Sequence, residues 1–163
     1  MVRHSIRPRP DKVPPSNLVR LRRICMAFPE STEVEAWGSS TFRCKRIFAM
    51  HASPNDHHGD GREGVWVKTD SFTQDLLLHN KPKQYFKPPY VGPFGWTGVY
   101  LNTKTNWTAL TDLLRDAYCL AAPKKLTARM NDLSNVALSS KKKSVTLSAK
   151  REGKRPARRK TKR

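Results

Sequence analysis

Gly64 to Asn102 reads GVWVKTDSFTQDLLLHNKPKQYFKPPYVGPFGWTGVYLN, and the fold follows from how this stretch is divided. Two runs rich in β-branched and aromatic residues, Gly64 to Thr69 and Trp96 to Leu101, bracket one helical segment and a loop crowded with proline, glycine and aromatic side chains. That order is strand, helix, loop, strand. Alternation within the first run puts Val65 and Val67 on one face and Trp66 and Lys68 on the other. The second run puts Val99 and Leu101 opposite Tyr100 and Asn102. An antiparallel sheet with one core face and one solvated face, able to meet a partner, is the expectation.

Working outward, Asp70 is a natural N-cap for a helix through Phe72, Leu76, Leu77 and His79, which must end before Pro82. Four prolines between Lys81 and Phe94 make that segment a structured loop rather than a long strand. A third helix, from about Asn106 to Ala122, carries Trp107, Leu110, Leu113, Leu114, Ala117 and Ala121 as its apolar face and stops at Pro123. Upstream, Leu18, Leu21, Ile24, Cys25 and Phe28 recur at helical spacing from a cap at Ser16 or Asn17. Val34–Trp37, Thr41–Lys45 and Ile47–His51 read as consecutive strands, followed by a polar hairpin loop from Ser53 to Gly64. The expected fold is α+β and two-layer, with helices packed on one face of an antiparallel sheet in the order α-β3-α-β(1-2)-α.

The 163 residues suit one domain with tails. Residues 1–15, with four prolines, read as a disordered arm, 16–126 as the domain, and 127–140 as a linker or short helix suggested by Leu126, Met130, Leu133 and Ala137. Net charge is +19, and 141–163 holds twelve Lys or Arg against the single Glu152. Such a segment cannot bury enough apolar surface to offset its ordering entropy, so a disordered basic tail is expected. No apolar run is long enough to span a bilayer and no secretory leader is evident, which points to a cytoplasmic protein, nucleoid-associated if it binds DNA, without membrane insertion. Cys25, Cys44 and Cys119 lack paired spacing and read as reduced, buried residues.

Several short pieces then match a known family in order and spacing. They are Leu21 to Glu30 ahead of Glu33-Val34-Glu35, Thr41-Phe42-Arg43 followed by Ile47-Phe48-Ala49, and Trp66 to Asp70. Gly95 to Leu101, and Trp107, Leu110, Leu114, Ala117-Tyr118 and Ala122 to Lys125, complete the set. From about Leu18 to Leu126 the chain resembles the MmcQ/YjbR family. The resemblance implies an α+β fold with helices on one side of an antiparallel sheet, likened to a double-wing DNA-binding domain. One departure stands out: where the family usually has a Gly-Lys turn, this chain has Lys45-Arg46. A tight or strained but still basic wing tip is expected.

Candidate functional residues follow from the charge pattern. Clustered Lys and Arg bind phosphates by counterion release. In the tail the candidates are Lys141, Lys142, Lys143, Lys150, Arg151, Lys154, Arg155, Arg158, Arg159 and Lys160. In the domain they are Lys45, Arg46, Lys68, Lys81, Lys83, Lys87 and Lys104, with Tyr85, Tyr90 or Trp66 placed to pack on sugar or base. Tyr85, Phe86, Tyr90, Phe94 and Trp96 form a second candidate, a rigid aromatic recognition loop. His51, Asp56, His57, His58 and Asp60 fit no metal-site spacing, so no metal or cofactor is expected. No catalytic motif occurs, and an enzyme built on Cys or His is the minority reading. The expected function is non-enzymatic, largely non-sequence-specific binding of nucleic acid, duplex DNA first. The alternative is a protein- or small-ligand-binding domain that the tail only localises.

Overall fold

The protein is described by a computed structural model covering residues 16–54 and 61–130. The expected arm, the tip of the hairpin loop and the basic tail lie outside these residues. The chain separates into two units, 1–122 and 123–163.

In the first unit the elements are α1 (Ser16–Cys25), β1 (Thr32–Ala36), β2 (Ser39–Cys44), β3 (Arg46–Ala52), β4 (Gly64–Lys68), α2 (Ser71–Asn80), β5 (Tyr85–Phe86), a 3-10 turn (Gly92–Phe94), β6 (Trp96–Tyr100) and α3 (Trp107–Ala121). Six antiparallel strands make one sheet in the order β1-β2-β3-β4-β6-β5. This is the α+β fold with an antiparallel sheet expected from the sequence, with four strands rather than three ahead of α2. In the second unit residues 124–130 are helical, started by the Pro123 carbonyl, which accepts from the N–H groups of Leu126 and Thr127.

The caps are where short polar side chains put them. Asp70 accepts from the Thr73 N–H at 2.8 Å, and Asn106 accepts from the Ala109 N–H at 3.1 Å, each satisfying a donor that the first turn of a helix leaves open. Leu110, Leu113, Leu114, Ala117, Tyr118 and Ala121 of α3 are all buried, and the helix lies across β2, β3 and β4. Tyr118 is the hub: its ring centroid is 5.2 Å from Phe28 and 5.7 Å from Phe48, and its hydroxyl donates to the Pro29 carbonyl at 2.8 Å. Phe48 reaches this cluster because the β2–β3 register slips: Phe42 faces Ala49 but Arg43 faces Ile47, leaving Phe48 as the extra residue of a bulge.

A polar network fastens α1 to the sheet. Arg22 grips Glu33 on β1 with two hydrogen bonds of 2.5 and 2.8 Å, and this grip holds the Glu33 carboxyl below its ordinary pKa. Asn17 donates to Glu63 at 2.7 Å, and the other oxygen of Glu63 lies 3.0 Å from Nε2 of the buried His51.

One sequence expectation needs correction. The sheet is not solvated on one face at its centre: Trp66 is only 4% exposed and Tyr100 is buried as well. Trp66 sits between its paired neighbours Met50 and Gly98, and the Phe86 ring lies directly on Gly98, so the row encloses the indole. Helix α2 meets the rest of the domain through a polar residue. Phe72 and Leu76 face solvent, and the inward residue is Gln74, whose amide donates to the carbonyls of Gly92 and Trp96 at 2.9 and 2.6 Å. Two carbonyls that need a donor outweigh apolar spacing here.

Candidate nucleic-acid interface

Strand direction divides the candidate lysines into two groups. Lys45 and Arg46 form the β2–β3 turn, Lys68 ends β4 opposite Trp96, and Lys87 follows β5, so these four lie at one end of the sheet. Lys81 and Lys83 precede β5, and Lys104 follows β6, so they lie at the other end. β6 is five residues long, which separates the ends by about 17 Å.

At the first end each cation is positioned by backbone. Lys45 has φ 63°, a left-handed conformation that glycine adopts without strain and lysine does not. The strain expected at this turn from the missing glycine is therefore present. Arg46, although exposed, donates to the Leu120 and Ala121 carbonyls at 3.0 and 3.2 Å, where a cation complements the C-terminal end of α3. Lys68 is half-buried and donates through Nζ to the Phe94 carbonyl, which leaves two of its ammonium protons for other acceptors. The Lys87 stem lies across Gly92, where a Cβ would fall 2.5 Å from its Cγ.

The 3-10 turn that fixes Lys68 and Lys87 is itself fastened to α2. Besides the Gln74 bonds, the Thr69 N–H donates to the Gly95 carbonyl at 2.7 Å. Gly95 has φ 75°, and a Cβ on it would sit 2.7 Å from the Thr69 carbonyl oxygen, so glycine is required on both counts. At the opposite end, Lys81 is the C-cap of α2, its N–H donating to Leu77, while Lys83 and Lys104 are exposed.

The aromatic loop separates into structural and exposed members. Tyr85 is buried, and burial raises its phenol pKa. Phe86 stacks on Tyr100 at 4.4 Å, and Trp96 is half-buried. Tyr90 and Phe94 are 70% and 71% exposed. Tyr85 and Trp66 are thus core residues, not surfaces for sugar or base. Phe72 is 75% exposed on the first turn of α2.

Arg20 and Arg62 were not singled out from the sequence. Arg20 lies over the Trp107 ring at 4.6 Å in an open cleft of about 680 Å³ lined by Asn17, Asn102, Thr105 and Asn106, and Arg62 lies over Tyr100 at 3.7 Å. No sequence spacing relates these partners.

Cys25 is fully buried, and its thiol pKa is raised far above the ordinary value by burial; the Cys119 thiol is also raised by burial. His57, His58, Asp56, Asp60 and the tail candidates from Lys141 to Lys160 lie outside the described residues. Among the described residues no group of three His, Cys, Asp or Glu could hold a metal, and no helix is long and apolar enough to cross a membrane.

A six-stranded antiparallel sheet with α1 and α3 packed against it, and a basic turn between its second and third strands, defines a small α+β domain of recognisable kind. The YjbR family model matches residues 26–120, and the chain belongs to that family. The fold is similar to the crystal structure of Deinococcus radiodurans protein DR2400, described as carrying family-model domain DUF419, with 20% identity, a TM-score of 0.55, and coverage of 70% of this chain and 87% of that one. It is also similar to a protein from Pseudomonas syringae, with 14% identity, a TM-score of 0.50, and coverage of 63% and 97% respectively. A search of curated proteins finds no match.

Proposed function

We propose that this protein binds nucleic acid through its phosphates, without catalysis, and that duplex DNA is its main target. The observation that carries the reading is the distribution of charge. Of the net +19, the segment 141–163 supplies +11, and the domain sets Lys45, Lys68 and Lys87 along one end of its sheet. Phosphate contacts of this kind need cations at the surface but no base-specific geometry, so binding is weakly sequence-selective and strongly salt-dependent. If tail and domain together neutralise roughly six to ten phosphates, affinity falls by about a thousandfold or more between 50 and 200 mM salt.

The test is fluorescence anisotropy with a generic duplex across a salt series, for the full chain and for a chain ending at Ser140 whose circular dichroism is checked against the full chain. Binding by both, with a shallower slope for the shorter chain, supports the reading. A full chain whose affinity does not change with salt refutes it.

A further inference from the structure

Arg20 differs from Arg22 and Arg46 in what holds it. Arg22 is gripped by Glu33 and Arg46 by two carbonyls, whereas Arg20 is held over the Trp107 ring and has no hydrogen bond to the protein among the described residues. A guanidinium held by a ring keeps its five N–H donors. It borders the open cleft of about 680 Å³, whose lining includes Asn17, Asn102, Thr103, Asn106 and Thr108. That volume is in the range of small-molecule sites, but apart from Trp107 the lining is polar, and it contains no carboxylate. The backbone decides which ends of the amides are left over. The Lys104 N–H donates to Oδ1 of Asn102 at 2.8 Å and the Ala109 N–H to Oδ1 of Asn106 at 3.1 Å, which leaves the NH2 groups of both as donors. The hydroxyls of Thr103 and Thr108 add two more. Asn17 gives its NH2 to Glu63, and that carboxylate is also held by His51. Lys104 is exposed between two lining residues and adds positive charge.

We infer that the cleft around Arg20 binds a terminal phosphate, carried either by a free nucleotide or by the end of a nucleic-acid strand. The donor set selects this group. An arginine fork meets phosphate oxygens in pairs, and the two amides and two hydroxyls beside it offer more donors than the two free oxygens of an internal phosphodiester take up. A terminal phosphate presents three acceptor oxygens and close to two negative charges at neutral pH. A carboxylate would fill the fork and leave the remaining donors without an acceptor. Asn102 follows β6, so the cleft lies at the end of the sheet opposite Lys45 and does not rest on the phosphate-binding surface proposed above. That surface works through dispersed charge, whereas the cleft works through placed donors.

The experiment is isothermal titration of the full chain, in 0.15 M salt, with adenosine monophosphate, with adenosine, and with a short thymidine strand carrying either a 5′-phosphate or a 5′-hydroxyl. A preference of about tenfold or more for the phosphorylated member of either pair is expected, since charge-assisted hydrogen bonds are lost with the phosphate. A preference seen with the nucleotide assigns the cleft to free nucleotides, and one seen only with the strand assigns it to strand ends. Two variants locate the site. Arg20→Lys keeps the charge but loses the fork, and Asn106→Asp keeps the acceptor for the Ala109 N–H while replacing the NH2 donor with an anionic oxygen. Each is expected to lower the affinity for the phosphorylated probe about tenfold, with a thermal melt matching the wild type. Equal affinity for both members of both pairs, or no binding of any probe, overturns the inference and leaves salt-dependent duplex binding untouched. A preference for phosphate that both variants retain assigns the binding to the dispersed lysines and arginines, and also overturns it.

Discussion

The two ends of the sheet give a clean way to separate a local interface from a diffuse attraction. Consider two triple variants of the full chain, Lys45→Gln/Lys68→Gln/Lys87→Gln and Lys81→Gln/Lys83→Gln/Lys104→Gln. Each removes three positive charges, so the net charge falls equally from +19. The ends are about 17 Å apart, roughly twice the screening length of about 8 Å at 0.15 M salt, so neither set can stand in for the other through the long-range field. If the first set meets three phosphates, its loss reduces the slope of log K against log salt by about 2.7, which amounts to as much as 500-fold in affinity near 0.1 M. The second set should leave the slope within about 0.5 of the wild type. Glutamine at position 68 retains a donor for the Phe94 carbonyl, which keeps the 3-10 turn in place. Anisotropy titrations of one duplex at five salt concentrations measure both slopes. Equal changes in the two variants would show that only net charge counts, and the assignment of an interface to the Lys45 end would be wrong.

Three further outcomes follow from the geometry. Lys45→Gly removes the strain at φ 63° and should stabilise the fold by about 0.5–1 kcal/mol in urea unfolding while weakening DNA binding, so stability and affinity move in opposite directions. Gly98→Ala places a Cβ about 2.3 Å from the Phe86 ring and should destabilise by about 1–3 kcal/mol, with loss of the Phe86–Tyr100 stack visible in near-ultraviolet circular dichroism. Glu33 has a folded pKa below its ordinary 4.5 because Arg22 donates to it, so its contribution is present above pH 4.5 and is lost as the pH falls through the lower folded value. Glu33→Gln should therefore flatten the fall in stability below pH 4.5, and a curve parallel to the wild type would remove the Arg22–Glu33 pair from the account.

Local signals placed most of the elements. The caps Asp70 and Asn106, the stripe of α3 and the short runs that became β1 to β4 carry their own periodicity and end signals, and each formed within about two residues of where those signals put it, β1 and β2 both starting two residues earlier. Phe72 and Leu76 face solvent because a helix of ten residues with little apolar contrast is oriented by what it must satisfy, and Gln74 had two carbonyls to meet. The candidate site divided similarly: Lys45, Lys83 and Lys104 are as exposed as their surroundings in sequence suggest, but Arg46 is engaged at the end of α3 and Trp66 is enclosed in the sheet.

By itself the sequence determined the antiparallel α+β architecture and the concentration of charge after residue 140, because spacing, capping and composition act over a few residues, while the strain at the Lys45 turn was expected from the resemblance to the family. The tertiary structure alone decided which lysines share an end of the sheet, which aromatic rings stay outside, and that Arg20 lies over Trp107 and Arg62 over Tyr100. These depend on strand order and on pairings across tens of residues, where a single register shift would give each side chain different neighbours.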